Sequence, residues 1–205
     1  MKNNFMNHDQ WILDISKAVY SAHEIVKLAI DMEATFNWHP LGFIMCKLSQ
    51  EKERNIRLHI WPDHNEKVQE PAWLVHDHLF DLKSWVLAGS IENIEYDVIP
   101  GNPNFSIYHA SYENNKSILN RTEETVNIIE KNRFVVDAGQ IYKVASGVLH
   151  QSVSLSSGTA VTVCETIDKN NKKPAIAGDL AGLSHYSYIR SAVDKKDLND
   201  IISRI

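Results

Sequence analysis

From residue 41 onward the chain is cut into short apolar runs by turn signals, and that rhythm limits it to a β architecture. Strand-length runs cover 41–48, 54–61, 72–78, 84–88, 91–99, 105–112, 123–130, 133–136, 140–144, 149–155 and 160–167. Between them stand Pro100-Gly101-Asn102-Pro103, Asn114-Asn115, Lys131-Asn132, Ala138-Gly139 and Ser156-Ser157-Gly158. Glycine, proline and asparagine at such points turn the chain, and many short strands at this spacing read as a sandwich or barrel. The run at 54–61 alternates most clearly. Ile56, Leu58 and Ile60 fall on one face, and Arg57, His59 and Trp61 on the other.

The flanks differ. From Asp9 to about Ala34, apolar residues recur at spacings of three and four, which predicts a helix or a broken helix pair with one buried stripe. Asn7 or Asp9 can cap its start, and Asn37-Trp38-His39-Pro40 ends it. At the other end, 169–182 is polar and glycine-containing and reads as a loop. Leu198, Ile201, Ile202 and Ile205 mark a short amphipathic helix. The expected organisation is one domain, with a helical segment at 1–40, a barrel at 41–168, and a loop and helix at 169–205.

Composition excludes several classes. With 21 basic and 26 acidic residues the net charge is −5, which disfavours a broad nucleic-acid footprint. No apolar run is long enough for a membrane span, and residues 1–10 lack the apolar stretch of a signal peptide. Two cysteines, Cys46 and Cys164, are too few for a disulfide scaffold. A cytoplasmic protein is therefore expected. The unusual count is ten histidines.

Two histidine segments carry chemistry. In His76-Asp77-His78, extended backbone places both rings on one face, about 7 Å apart at the backbone, so they can converge on one ion. In the second, a turn through Gly147 leads to His150 at the start of an alternating strand. With these residues the chain resembles the cupin superfamily. His76, His78 and Gly89 match the first cupin motif, and Gly139, Gly147 and His150 match the second, with Ala145 and Ser154 where the motif has proline and asparagine. The resemblance covers 41–167. The first motif's glutamate is missing: its positions hold Leu82 and Lys83, and Asp81 lies one residue short. A set of three histidines without a carboxylate is similar to cysteine dioxygenase and related thiol dioxygenases. The cysteine that is crosslinked in those enzymes would fall near Lys83 and is absent.

The resemblance implies a jelly-roll-like cupin barrel holding one ion on His76, His78 and His150. It also implies pairing of two copies through their sheets. Imidazole suits iron, zinc, nickel and copper alike. Three neutral ligands leave the ion its full charge and an open side. Ferrous iron with dioxygen and a small thiol or amino-acid-like substrate is the leading expectation. The alternatives are a zinc, nickel or manganese isomerase or lyase, and a metal-containing binding module without turnover.

Other side chains follow from strand faces. Arg57, chosen over Arg54, is placed to hold a substrate carboxylate in the role an early-strand arginine plays in the resembled dioxygenases. The second nitrogen of each ligating imidazole needs an acceptor, for which Asp81, Ser152 and Ser154 are candidates. His59 reads as a pocket wall, a hydrogen-bonded core residue or an extra ligand, and His64 as a loop residue or ligand. Tyr108, Tyr112 and Tyr142 could each bring a hydroxyl to the site or simply form a wall. Trp73 and Trp85 are expected to pack the barrel. Cys164 either faces the site or fills the core.

Overall fold

In the computed structural model, which describes residues 7–63, 67–169 and 172–205, the chain opens with two helices. In α1 (His8–Ser16) the Asn7 side chain accepts the Gln10 amide at 2.8 Å. In α2 (Ala22–Asp31) Ser21 and Glu24 form a capping box. The stripe read over 9–34 is therefore a broken pair, turned at Ala18 with φ 52°. Then come β1 (Asn37–Trp38), β2 (Ile44–Glu51), β3 (Arg54–Trp61), β4 (Phe80–Ala88), β5 (Ser90–Ile99) and β6 (Phe105–Glu113). They are followed by β7 (Lys116–Asp137), β8 (Ile141–Val144), β9 (His150–Ser154), β10 (Ala160–Asp168), β11 (Ala175–Gly178), β12 (His185–Ile189) and α3 (Lys195–Ile202).

The strands form two antiparallel sheets. One runs β1-β2-β3-β10-β4-β8; the other runs β11-β6-β7-β5-β9, with β12 alongside β7. The mainly-β reading with flanking helices holds. The architecture is a jelly-roll sandwich, and the sheets do not close into the barrel expected from the resemblance. No helix among the described residues is long and apolar enough to cross a membrane.

The first sheet separates stability from chemistry by its pleat. Ile44, Cys46 and Leu48 of β2, Ile56, Leu58 and Ile60 of β3, and Val161 and Val163 of β10 pack against Trp11, Ile15, Ile25, Val26 and Ala29 of the helices, with Leu198 of α3 joining them. Trp85 belongs to this outer layer. The inward faces of the same strands carry Arg57, His59 and Trp61, which line a cavity between the sheets. Pairing of Cys164 with both Arg57 and Ser84 puts these on one face.

Four sequence expectations change. The run at 72–78 is not a regular strand: only His76 makes bridges, to His150 and Ile176. The segments 123–130 and 133–136 belong to one strand, β7. The turn read at Lys131-Asn132 is a bulge, since Asn132 pairs with Glu95 and Glu130 with Tyr96. The stretch 169–182, expected as a loop, contains β11, and β12 has no strand signal in the sequence. Ala-Ile-Ala-Gly is too short and small to announce a strand. It forms one because β6 pairs with it and because Gly178 leaves room for the Trp73 ring, which any Cβ there would overlap.

Candidate metal centre

The two histidine segments meet through backbone. His76 N donates to His150 O at 2.9 Å, and His150 N donates back to His76 O at 2.8 Å. On its other side the 75–77 stretch bonds to β11, with Asp77 N to Ala175 O and Ala177 N to Val75 O, each at 2.9 Å. The histidine segment therefore sits between β9 and β11, the two end strands of the second sheet. The turn before His150 is tied to the same place. Gly147 N donates to His78 O at 2.9 Å, Ser146 Oγ donates to His78 O at 3.1 Å, and Ser146 N donates to Asp81 Oδ1 at 3.0 Å. Gly147 takes φ 80°, a conformation glycine adopts without strain.

Alternation around Asp77 brings His76 and His78 to one side. The three ring centroids form a nearly equilateral triangle: 4.7 Å for His76–His78, and 4.8 Å for both His76–His150 and His78–His150. One nitrogen from each ring lies within 4.8 Å of the others. An ion about 2.1 Å from each nitrogen sets neighbouring nitrogens about 3.0–3.4 Å apart, so seating it draws them inward by about 1 Å.

The protonation pattern fits a ligand set. His76 Nδ1 lies 2.7 Å from Leu74 O, and His150 Nδ1 lies 2.9 Å from Val148 O. A carbonyl only accepts, so Nδ1 carries the proton in both rings and Nε2 keeps its lone pair. Each contact reaches two residues back, so one local device orients both rings. Burial lowers the pKa of all three histidines, His150 to about 3 with His76 adding to the effect. They are neutral at pH 7, as metal ligation requires.

The triad opens on a cavity of about 790 Å³, within the range of small-molecule sites. His78 stacks on Phe80 at 4.4 Å, and the Arg57 guanidinium lies over the other partner of that contact, the Phe80 ring, at 4.8 Å. Burial lowers the Arg57 pKa, yet arginine remains charged at neutral pH. Phe43 stacks between His39 at 4.2 Å and Trp61 at 4.4 Å, forming an aromatic wall.

The structure brings together His76, His78, His150, Arg57, His59 and Ser152 around this cavity. His59 stands outside the three-histidine group. Its Nδ1 is 3.7 Å from Cys164 Sγ, and burial next to Arg57 lowers its pKa to about 3. The acceptor roles foreseen for Asp81, Ser152 and Ser154 fall to the Leu74 and Val148 carbonyls. Asp81 instead holds the 146 turn and pairs with Lys169 at 3.1 Å. Ser152 Oγ donates to Asn93 Oδ1, and Ser154 accepts from the Ser156 amide. Tyr108 is fully buried apart from the triad; its hydroxyl donates to Leu183 O, and its ring packs against Trp73 and Tyr186. Tyr112, Tyr142 and Trp73 line the cavity. Cys164 is buried with Ser84 Oγ at 3.3 Å. His64 lies outside the described residues. Leu82 is buried between the sheets and Lys83 lies over Trp85 at 4.3 Å, so neither former glutamate position offers a carboxylate.

Of the cavity's polar residues, His39 and Arg190 carry no sequence signal. His39 accepts from the Leu41 amide at Nδ1, 3.2 Å away, and is held neutral chiefly by burial. Arg190 follows β12, a strand with no recognised pattern.

No protein-family model and no curated protein matches the chain. Among solved structures, hydroxypropylphosphonic acid epoxidase from S. wedmorenis aligns at 11% identity and TM-score 0.39, over 66% of this chain and 56% of that one. This chain thus spans little more than half of the epoxidase. The cumin domain of Drosophila melanogaster CENP-C aligns at 11% and 0.35, over 65% and 72%. CENP-C bound to CAL1 aligns at 11% and 0.35, over 78% and 95%. Likenesses at this level say nothing about chemistry. The sandwich and the three-histidine group are together compatible with a cupin.

Proposed function

We propose that this chain is a metal-dependent cupin-like enzyme that binds one divalent ion through His76, His78 and His150 and acts on a small anionic molecule. The observation that carries the reading is the closed triangle of neutral imidazoles, two of them oriented by backbone carbonyls, at the wall of a molecule-sized cavity. We favour ferrous iron and a dioxygenase-like reaction. Bound there, such an ion supplies Lewis acidity and one-electron chemistry with dioxygen. The chain's own residues do the rest. The carbonyls of Leu74 and Val148 fix which imidazole nitrogen is free. Arg57 offers a planar fork of donors to a substrate carboxylate. Phe80 holds Arg57 in line with His78 by contact with both. Phe43 and Trp61 exclude water from one wall.

The test is elemental analysis of the purified protein beside His76→Ala, His78→Ala and His150→Ala, followed by oxygen uptake on reconstitution with ferrous iron. About one ion per chain in the wild type, lost in each variant, with iron-dependent uptake in the presence of a substrate, is the expected result. An equal metal content in wild type and variants would overturn the reading. Tight retention of zinc with no response to iron would transfer it to isomerase, lyase or binding roles.

A further inference from the structure

The cavity holds more positive charge than a single carboxylate requires. Lys47, Arg57, Lys172, Lys173 and Arg190 line it, against Asp77 and Asp168. One Asp77 oxygen is already occupied by the Ala175 amide at 2.6 Å. Among the described residues the Arg57 guanidinium has no hydrogen bond and no ion pair, only the Phe80 ring beneath it. Arg190 is likewise without a carboxylate partner. It is held in place by Ser117, whose Oγ accepts from Nε at 2.6 Å, and by the Tyr112 ring at 4.7 Å. These neutral contacts orient the guanidinium without neutralising it.

Two guanidinium groups without ion-pair partners, facing one cavity and each half-buried, repel one another and lose part of their hydration. Burial lowers both pKa values, and the Arg190 charge adds to the lowering at Arg57, while Cys164, Tyr112 and Asp168 oppose it there. His39, beside them, is depressed by burial and then by Arg190 ahead of His76, His59 and Arg57. A bound anion would relieve this repulsion. The volume also exceeds what a small thiol amino acid fills.

We propose that Arg190 is a second anion-binding residue of the cavity, and that the natural ligand carries two acidic groups, one taken by Arg57 and the other by Arg190. This rests on the reading of the cavity as a small-molecule site in which Arg57 holds an acidic group. It extends that reading by naming the substrate class, a small dianion such as a dicarboxylate or a phosphorylated acid.

The experiment is calorimetric titration of the metal-loaded full chain with unbranched α,ω-dicarboxylates from succinate to suberate, each beside the monocarboxylate of the same length. At one chain length the dicarboxylate should bind about tenfold or more tighter than its monocarboxylate, the gain of one charge-assisted contact. Arg190→Gln should erase that preference, weakening the dicarboxylate far more than the monocarboxylate. Arg57→Gln should weaken both series. Arg190→Lys, which keeps the cation, should recover part of the preference, a rescue that a merely misfolded variant could not show. A wild type with no dicarboxylate preference, or a preference untouched in Arg190→Gln, overturns the proposal. If Arg57→Gln still matters in that case, only the second position fails. If Arg57→Gln leaves the monocarboxylates unaffected, the underlying reading of the site fails as well.

Discussion

The two faces of β3 differ more than any two separate regions of the molecule. On the outer face Ile56, Leu58 and Ile60 have no exposed surface and pack into the layer beneath the helices. On the inner face Arg57, His59 and Trp61 border the cavity, and two of the three are polar with few partners. Neighbouring residues thus serve opposite ends. The helical layer allows this division: it gives the sheet a second apolar face to bury, so the interior between the sheets need not be dry or tightly filled. The site can then retain groups that cost stability, as functional cavities commonly do.

The sharpest way to break the comparison is to mutate adjacent residues. Leu58→Ala should lose about 2–5 kcal/mol, because a fully buried side chain leaves a hole in a packed layer. Arg57→Met, one residue away, should leave stability unchanged or raise it by about 1 kcal/mol, since it removes a half-buried cation without an ion-pair partner. Chemical denaturation of the metal-free proteins checks both. If Arg57→Met costs as much as Leu58→Ala, the inner face is structural and the division is wrong.

A second effect, graded with pH, follows from His59 and His150. Burial, helped by Arg57 for His59 and by His76 for His150, lowers both pKa values to about 3. The ordinary value in the unfolded chain is about 6.5. Above that pH both states are neutral and neither histidine alters stability. Below it only the unfolded chain takes up the protons, so each residue costs the fold about 1.4 kcal/mol per pH unit until about pH 3. Melts of the metal-free protein should therefore fall in temperature from pH 6.5 downward, and His150→Gln should flatten the slope. A slope equal to wild type in that variant would place His150 in a wetter setting than the structure gives it.

The division between faces was legible from sequence because alternation is a local property: Arg57 and Leu58 part company wherever the strand lies. The trio of histidines was legible because spacing within each segment, and glycine at 89 and 147, marks the turns that bring them round. Gly89 shows why. It takes φ 72°, and a Cβ there would overlap Ser156 Oγ and lie 2.7 Å from Ala160 Cβ. What stayed hidden depends on backbone or on distant pairing. The acceptors for His76 and His150 are carbonyls, which no residue type announces. Asp81 looked like an acceptor by proximity in sequence, but the fold turns it to the 146 turn. Arg190 sits beyond β11 and β12, whose pairing with β6 and β7 owes more to those partners than to their own pattern.

The central claim is that three imidazoles share one cation. X-ray absorption at the metal edge of the reconstituted protein tests it most directly. The account predicts three imidazole nitrogens at about 2.0–2.2 Å, falling to two in His78→Ala. A spectrum with one or no imidazole shell, or one unchanged by that substitution, would contradict it.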